Sequence, residues 1–187
     1  MFTLAVYNLT QDKVLTTDPN NSAYYVQDGK VRSRGIELEA RGKLSDQFSI
    51  IGAMTWQNVK YVQESNPDNI GKTPLRIPTR FGSLWLNWEA PAASAIAGLG
   101  GGIGGRFSNG TKGGSMDDQF STAGYGVMDA EIHYDLGHIA HSLQGGKVQL
   151  TAQNLTDRHY ITSCFTASQG CFYGAERTVI AKLSWDF

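Results

Sequence analysis

Charge is scarce in this chain. Only 18% of its 187 residues are Asp, Glu, Lys or Arg, where soluble proteins carry about 25%. The formal net charge is −1, so the clustered cations that neutralise nucleic-acid phosphates are missing and a nucleic-acid partner is not expected. Long apolar runs are missing too. Residues 90–105 carry no charge, but Pro91 and several glycines interrupt them, and a membrane helix needs about 20 apolar residues. The first residues, MFTLAVYNLTQDK, have no basic segment, apolar stretch or small-residue cleavage site, so no signal peptide is visible. Cysteine is limited to Cys164 and Cys171. Aromatic residues are plentiful, 8 Phe, 8 Tyr and 4 Trp, which argues against disorder.

What is present is alternation with a period of two. Ile36, Leu38 and Ala40 alternate with Glu37, Glu39 and Arg41. Met128, Ala130, Ile132, Tyr134 and Leu136 alternate with Asp129, Glu131, His133 and Asp135. Val148, Leu150 and Ala152 alternate with Gln149, Thr151 and Gln153, and Leu99, Gly101, Ile103, Gly105 and Phe107 share a face. Val179, Ala181, Leu183, Trp185 and Phe187 form the last such set. No amphipathic helix with its caps is visible.

The pattern predicts an all-β chain of about eight antiparallel strands, over residues 2–15, 30–43, 48–61, 80–89, 99–108, 125–137, 147–155 and 172–187. Most are longer than the 5–6 residues common in globular sheets and reach the ~9–11 of a strand that crosses a bilayer. The connections sort by parity. Segments 16–29, 62–79, 109–124 and 156–171 are long and rich in Asn, Asp, Ser, Gly and Pro, and the intervening ones are shorter. Long extracellular loops and short periplasmic turns belong to a transmembrane β-barrel. Trp56, Tyr61, Trp85, Trp88, Tyr134, Trp185 and Phe187 lie near predicted strand ends, where interfacial girdles sit.

Little points to catalysis. The carboxylate pairs Glu37–Glu39 and Asp129–Glu131 fit a water-facing wall better than a glycosidase pair. His133 lies on a polar strand face, His138 and His141 share one turn, and His159 is near the cysteines. None has the spacing of a metal site or the context of a triad, so no catalytic residue, metal or resident cofactor is expected. The glycines at 100, 102 and 105 imitate a dinucleotide fingerprint, but a strand end and loop follow them instead of a helix. Inward glycines would leave lumen space or admit a close backbone. Cys164 and Cys171 fall in one predicted extracytoplasmic loop and suggest a disulfide that restricts it.

Four stretches carry a resemblance. QNLTDRHYITSC followed by CFYGAERTVIAKLSWDF resembles the end of TonB-dependent ferric-siderophore receptors of the ferrichrome and ferrioxamine type, at Asn154, Leu155, Asp157, Tyr160, Cys164, Cys171, Gly174, Arg177 and Phe187. VRSRGIELEARG and GKTPLRIPTR are similar to family segments upstream. The resemblance implies a 22-stranded outer-membrane barrel with an N-terminal plug, energised through the TonB complex, with a ferric siderophore as transported ligand. These strands would be its last eight, and residues 1–187 a C-terminal portion lacking plug and signal peptide. Leu183, Trp185 and Phe187 would form the signal read by the barrel-assembly machinery. Phe165, Phe172 and Tyr173, flanking the cysteines, would present rings to the ligand. As a fragment the chain is not expected to transport alone. A small passive barrel or porin, complete at eight strands, is the competing reading, and a soluble lipocalin-like barrel with its apolar face inward is a third.

Overall fold

A computed structural model of the chain describes residues 1–166 and 170–186. Eight antiparallel strands form one sheet whose order follows the chain. They are β1 (Phe2–Asp18), β2 (Asn21–Lys43), β3 (Phe48–Gln63), β4 (Arg80–Glu89) and β5 (Leu99–Ser108), then, past two short strands, β8 (Tyr125–Asp135), β9 (Gly146–Gln153) and β12 (Thr178–Trp185). Two small hairpins sit in the connections: β6 (Lys112–Gly114) with β7 (Gln119–Ser121), and β10 (Ile161–Cys164) with β11 (Cys171–Tyr173).

The register turns the alternation into two surfaces. Leu4 faces Leu38, Leu38 faces Met54, and Met54 faces Gly82. Further across, Leu86 faces Ile103, Ile103 faces Ala130, Ala130 faces Ala152 and Ala152 faces Val179. Since side chains alternate faces along a strand, every one of these lies on the same side. The other side carries Glu37, Glu39, Thr55, Asn87, Arg106, Asp129, Glu131, Gln149, Thr151 and Lys182.

Among the described residues the apolar side is not covered by any other layer. Val6 is 75% exposed, Leu183 67% and Leu84 55%. Among the described residues the only buried hydrophobic ones are Val59, Val127 and Cys164. A sheet of this size with its apolar residues uncovered and hardly any core is unstable in water and suited to a bilayer. A lipocalin-like barrel would enclose these apolar residues, and here they are exposed. The sheet is open: β1 and β12 are its two ends and do not pair with each other among the described residues. The closed eight-stranded barrel of the porin reading is therefore not the arrangement found.

All four long or hairpin-bearing connections lie at one end of the sheet and the segments 44–47, 90–98 and 136–145 at the other. Several boundaries differ from expectation. Segment 16–29 is not a loop: β1 and β2 run on to a two-residue turn between Asp18 and Asn21, so a tall hairpin stands above the sheet. The last strand begins at Thr178 instead of residue 172, because Cys171–Tyr173 pair with Ile161–Cys164. The girdle divides as well. Trp56, Trp88, Tyr134 and Trp185 share the apolar face, but Tyr61 pairs opposite Val31 and Trp85 lies in phase with Ser83 and Asn87, so both face the polar side.

Trp85 also accounts for the glycine run. Its indole lies where side chains at Gly102 and Gly104 would be, and its Nε1 donates to Asn87 Oδ1 at 2.6 Å. The space left by these glycines is filled by an aromatic ring.

Candidate functional site

The end of the sheet that bears the long connections is where side chains from distant parts of the chain converge. Loop 64–79 is fastened to loop 109–124: Lys72 Nζ donates to Met116 O at 2.6 Å, Gln119 Nε2 to Thr73 O at 3.0 Å, and Arg76 N to Lys112 O at 2.7 Å. Asn109 Oδ1 accepts from the backbone of Thr79 and Arg80. Loop 109–124 is in turn joined to loop 154–177, where Gly114 N donates to Phe165 O at 3.0 Å.

The base of loop 154–177 is knotted by Asn154, the most buried large side chain described, at 1% exposure. Its Nδ2 donates to Arg158 O and Ala175 O, its Oδ1 accepts from Arg158 N, and its own N–H donates to Asp129 Oδ1. Its φ of 50° is in the left-handed region that Asn tolerates better than most residues. Asp157 accepts from Arg177 N at 2.8 Å, and the Tyr160 ring covers Gly174 and stacks 4.3 Å from Tyr125. The spaced residues of the QNLTDRHY and GAER segments thus meet in one joint.

Above that joint, Cys164 and Cys171 form a disulfide that closes the β10–β11 hairpin. Phe165 and Phe172 meet edge to face at 5.4 Å, and the Arg76 guanidinium lies 4.2 Å over the Phe165 ring. A cleft of about 500 Å³ opens beside the hairpin, lined among others by Phe120, Arg158, His159, Tyr160 and Tyr173. Of the three expected ligand residues, Tyr173 lines this cleft and is 75% exposed, whereas Phe165 and Phe172 pack against each other outside its lining. Arg76 and Phe120 had no local signal in the sequence, because they stand in loops remote in the chain from the cysteines, whereas Arg158 shares the loop of Tyr173 and is positioned by its backbone bonds to Asn154. The volume is within the range of small-molecule sites, and the mixture of rings with an Arg and a His suits an anionic or hydroxyl-rich ligand with apolar parts.

On the polar wall Arg106 Nε and Nη2 donate to the two oxygens of Asp129 at 3.0 and 3.3 Å. Both nitrogens of His133 meet carboxylates, Glu131 Oε1 at 2.6 Å and Glu89 Oε2 at 3.2 Å. No cluster of His, Cys, Asp and Glu among the described residues could hold a metal ion. Leu183 and Trp185 lie on the apolar face of β12, opposite Val148 and Gly146. Phe187 lies outside the described residues.

Comparison with known proteins places this geometry. The family model "TonB dependent receptor-like, beta-barrel" matches residues 1–155. The chain is 37% identical over 186 residues to the ferrichrome outer membrane transporter/phage receptor of Escherichia coli K12, covering 98% of this chain and 24% of that protein. It is 36% identical to the ferrioxamine receptor of Yersinia enterocolitica, covering 100% of this chain and 25% of that protein. Among solved structures, the fold matches the Acinetobacter baumannii siderophore receptor PiuA (TM-score 0.77, 19% identity, 98% of this chain and 26% of that chain). It also matches the ferric preacinetobactin receptor BauA of the same organism (TM-score 0.79, 21% identity, 100% of this chain and 27% of that chain). The chain spans about a quarter of the length of the curated relatives it matches.

Proposed function

The chain belongs to the TonB-dependent receptor β-barrel family, and on that premise we propose that it supplies the last eight strands of an outer-membrane receptor for a ferric siderophore. The barrels of this family lie in the outer membrane, and the apolar face of the sheet is the part that meets lipid. The relatives are transporters and receptors, and in this reading the chain is not an enzyme. The iron–siderophore complex is the cargo, and energy comes from the TonB complex through a plug domain held in a wider barrel. Both open edges of the sheet support this, since an unpaired strand edge is not tolerated in lipid and the neighbours of β1 and β12 would be further strands. Leu183, Trp185 and Phe187 serve as the terminal signal for barrel assembly.

The observation that carries the ligand assignment is the ring-lined cleft of about 500 Å³ at the loop end of the sheet. In this reading Tyr173 contacts the siderophore directly, and Phe165 and Phe172, braced by Arg76, hold the hairpin that presents it. The test is titration of outer-membrane vesicles bearing the receptor with ferrichrome and with ferrioxamine B. Tyr173→Ala is expected to weaken binding of one of them about tenfold, about 1.4 kcal/mol, at unchanged receptor level. Affinity unchanged by Tyr173→Ala would remove the residue from the site, and no binding of any ferric siderophore by the unaltered receptor would overturn the assignment.

A further inference from the structure

β8 and β9 part company at Asn154. Toward the long-loop end their register stops with Ala130 opposite Ala152, and its continuation would set Met128 opposite Asn154. Instead Met128 O accepts from Leu155 N at 2.6 Å, so Asn154 stands as one extra residue, a bulge with a φ of 50°. A bulged residue is left unpaired by the ladder, and a buried N–H without an acceptor is costly. Asn154 is almost wholly buried, and its N–H donates to Asp129 Oδ1 at 2.8 Å. The acceptor that the neighbouring backbone does not offer comes from a side chain on the polar wall.

Asp129 is itself held. Arg106 Nε donates to its Oδ2 at 3.0 Å and Nη2 to its Oδ1 at 3.3 Å, a two-point contact that fixes the plane of the carboxylate. The Asp129 side chain is only 17% exposed, so water screens these charge-assisted bonds little. Oδ1 thus serves two elements at once, a guanidinium on β5 and the N–H at the root of loop 154–177. Arg106 donates to nothing in that loop among the described residues, so its hydrogen-bonded hold on the loop runs through Asp129. The Tyr125 ring, stacked on Tyr160, gives the root a second support from β8. Farther along the same face, Glu131 Oε1 meets His133 Nδ1 at 2.6 Å, and its carboxylate bonds to no loop among the described residues.

We propose that Asp129 and Arg106 are positioning residues for the siderophore cleft: from the polar wall they hold the base of loop 154–177 and so set how firmly its side chains are presented to the ligand. The Asp129 carboxylate fixes the backbone of Asn154, and the Asn154 amide ties Arg158 to Ala175, near the two ends of the loop. Arg158, Tyr160 and Tyr173 in that loop line the cleft, whereas Asp129 and Arg106 do not. The pair therefore acts on the ligand through the loop and not by touching it. This role rests on the siderophore reading above and adds to it that affinity in the loops depends on an ion pair in the wall of the sheet.

The test uses outer-membrane vesicles bearing the receptor that contains this chain. Hydrogen exchange is read across residues 155–177, with hairpin 16–29 as internal reference, and ferrichrome and ferrioxamine B are titrated. Asp129→Ala is expected to quicken exchange in the loop and to weaken siderophore binding about tenfold. Arg106→Gln should do both to a smaller degree, about threefold, with the reference hairpin unchanged. Because Arg106 acts through Asp129, Arg106→Gln added to Asp129→Ala should cost nothing further. Glu131→Gln removes a comparable pair from the same face and should leave both readings as they were. If Asp129→Ala does not reach the membrane, the comparison of Arg106→Gln with Glu131→Gln decides alone. Loop exchange unchanged by Arg106→Gln, affinity unchanged while exchange quickens, losses that add in the double variant, or equal effects of Glu131→Gln would each overturn the proposal. Failure of the siderophore reading looks different: the unaltered receptor binds no ferric siderophore, while Arg106→Gln still quickens exchange in the loop.

Discussion

At the scale of single residues, the polar side chains that matter most are the ones that close loops. Asn154 satisfies three backbone partners with one amide and adds a fourth through its own N–H. Truncating it leaves Arg158 O, Ala175 O and Arg158 N to find new partners in a site with almost no solvent. Buried groups left unmatched cost about 1–3 kcal/mol, so Asn154→Ala should destabilise the loop by about 2–3 kcal/mol. Limited proteolysis across residues 155–177 would read this as earlier cleavage, with the sheet still assembled. Cleavage indistinguishable from the unaltered protein would show that the joint is redundant. Asn154, Asp157, Tyr160, Gly174 and Arg177 were legible in the sequence as a family pattern, but their spacing gave no reason for it. The reason is a contact between segments twenty residues apart, which periodicity does not report.

At the scale of elements, the tall β1–β2 hairpin is the part that sequence reasoning lost. Its residues are rich in Asn, Asp and Gln, and a polar strand outside the membrane lacks the one-sided apolar pattern that reveals the others. Its support is a small network: the Asp28 carboxylate accepts from Thr16 Oγ1 at 2.5 Å and from Ser65 Oγ at 2.9 and 3.1 Å. The Thr16 hydroxyl, followed by that of Ser65, holds the Asp28 pKa below its ordinary value of 3.8. A carboxylate with a depressed folded pKa contributes stability above its unfolded value, and loses it as pH falls through the folded one. Hydrogen-exchange protection of the hairpin should therefore be steady from neutrality down to the ordinary carboxylate range and decline below it. Asp28→Asn should show lower protection already at neutral pH. Equal protection in both proteins at neutral pH would mean that the network does not hold the hairpin. Trp85 teaches a related lesson: position near a strand end suggested a girdle, whereas its phase with Ser83 and Asn87 sends it to the polar wall. Phase within the strand decides the face, and proximity to an end does not.

At the scale of the whole molecule, one fact organises the rest. Eight strands paired in chain order put apolar residues on one face and polar residues on the other, with hardly any core among the described residues. This much was written in the sequence, because a period of two survives errors of a few residues in strand boundaries. The candidate cleft was legible only in part. Tyr173 stands beside the cysteines in the chain and Arg158 lies in the same loop, but Phe120 comes from the separate loop 109–124, which Gly114 N joins to Phe165 O. The sharpest trial of the membrane assignment is a nitroxide scan along β9. A spin label is placed in turn at Val148, Gln149, Leu150, Thr151, Ala152 and Gln153 of the protein in its outer membrane. Its accessibility to oxygen, which concentrates in lipid, is compared with that to a water-soluble nickel chelate. Strict alternation is expected, with oxygen favoured at 148, 150 and 152 and the chelate at 149, 151 and 153. A flat profile, or alternation in the opposite phase, would contradict it.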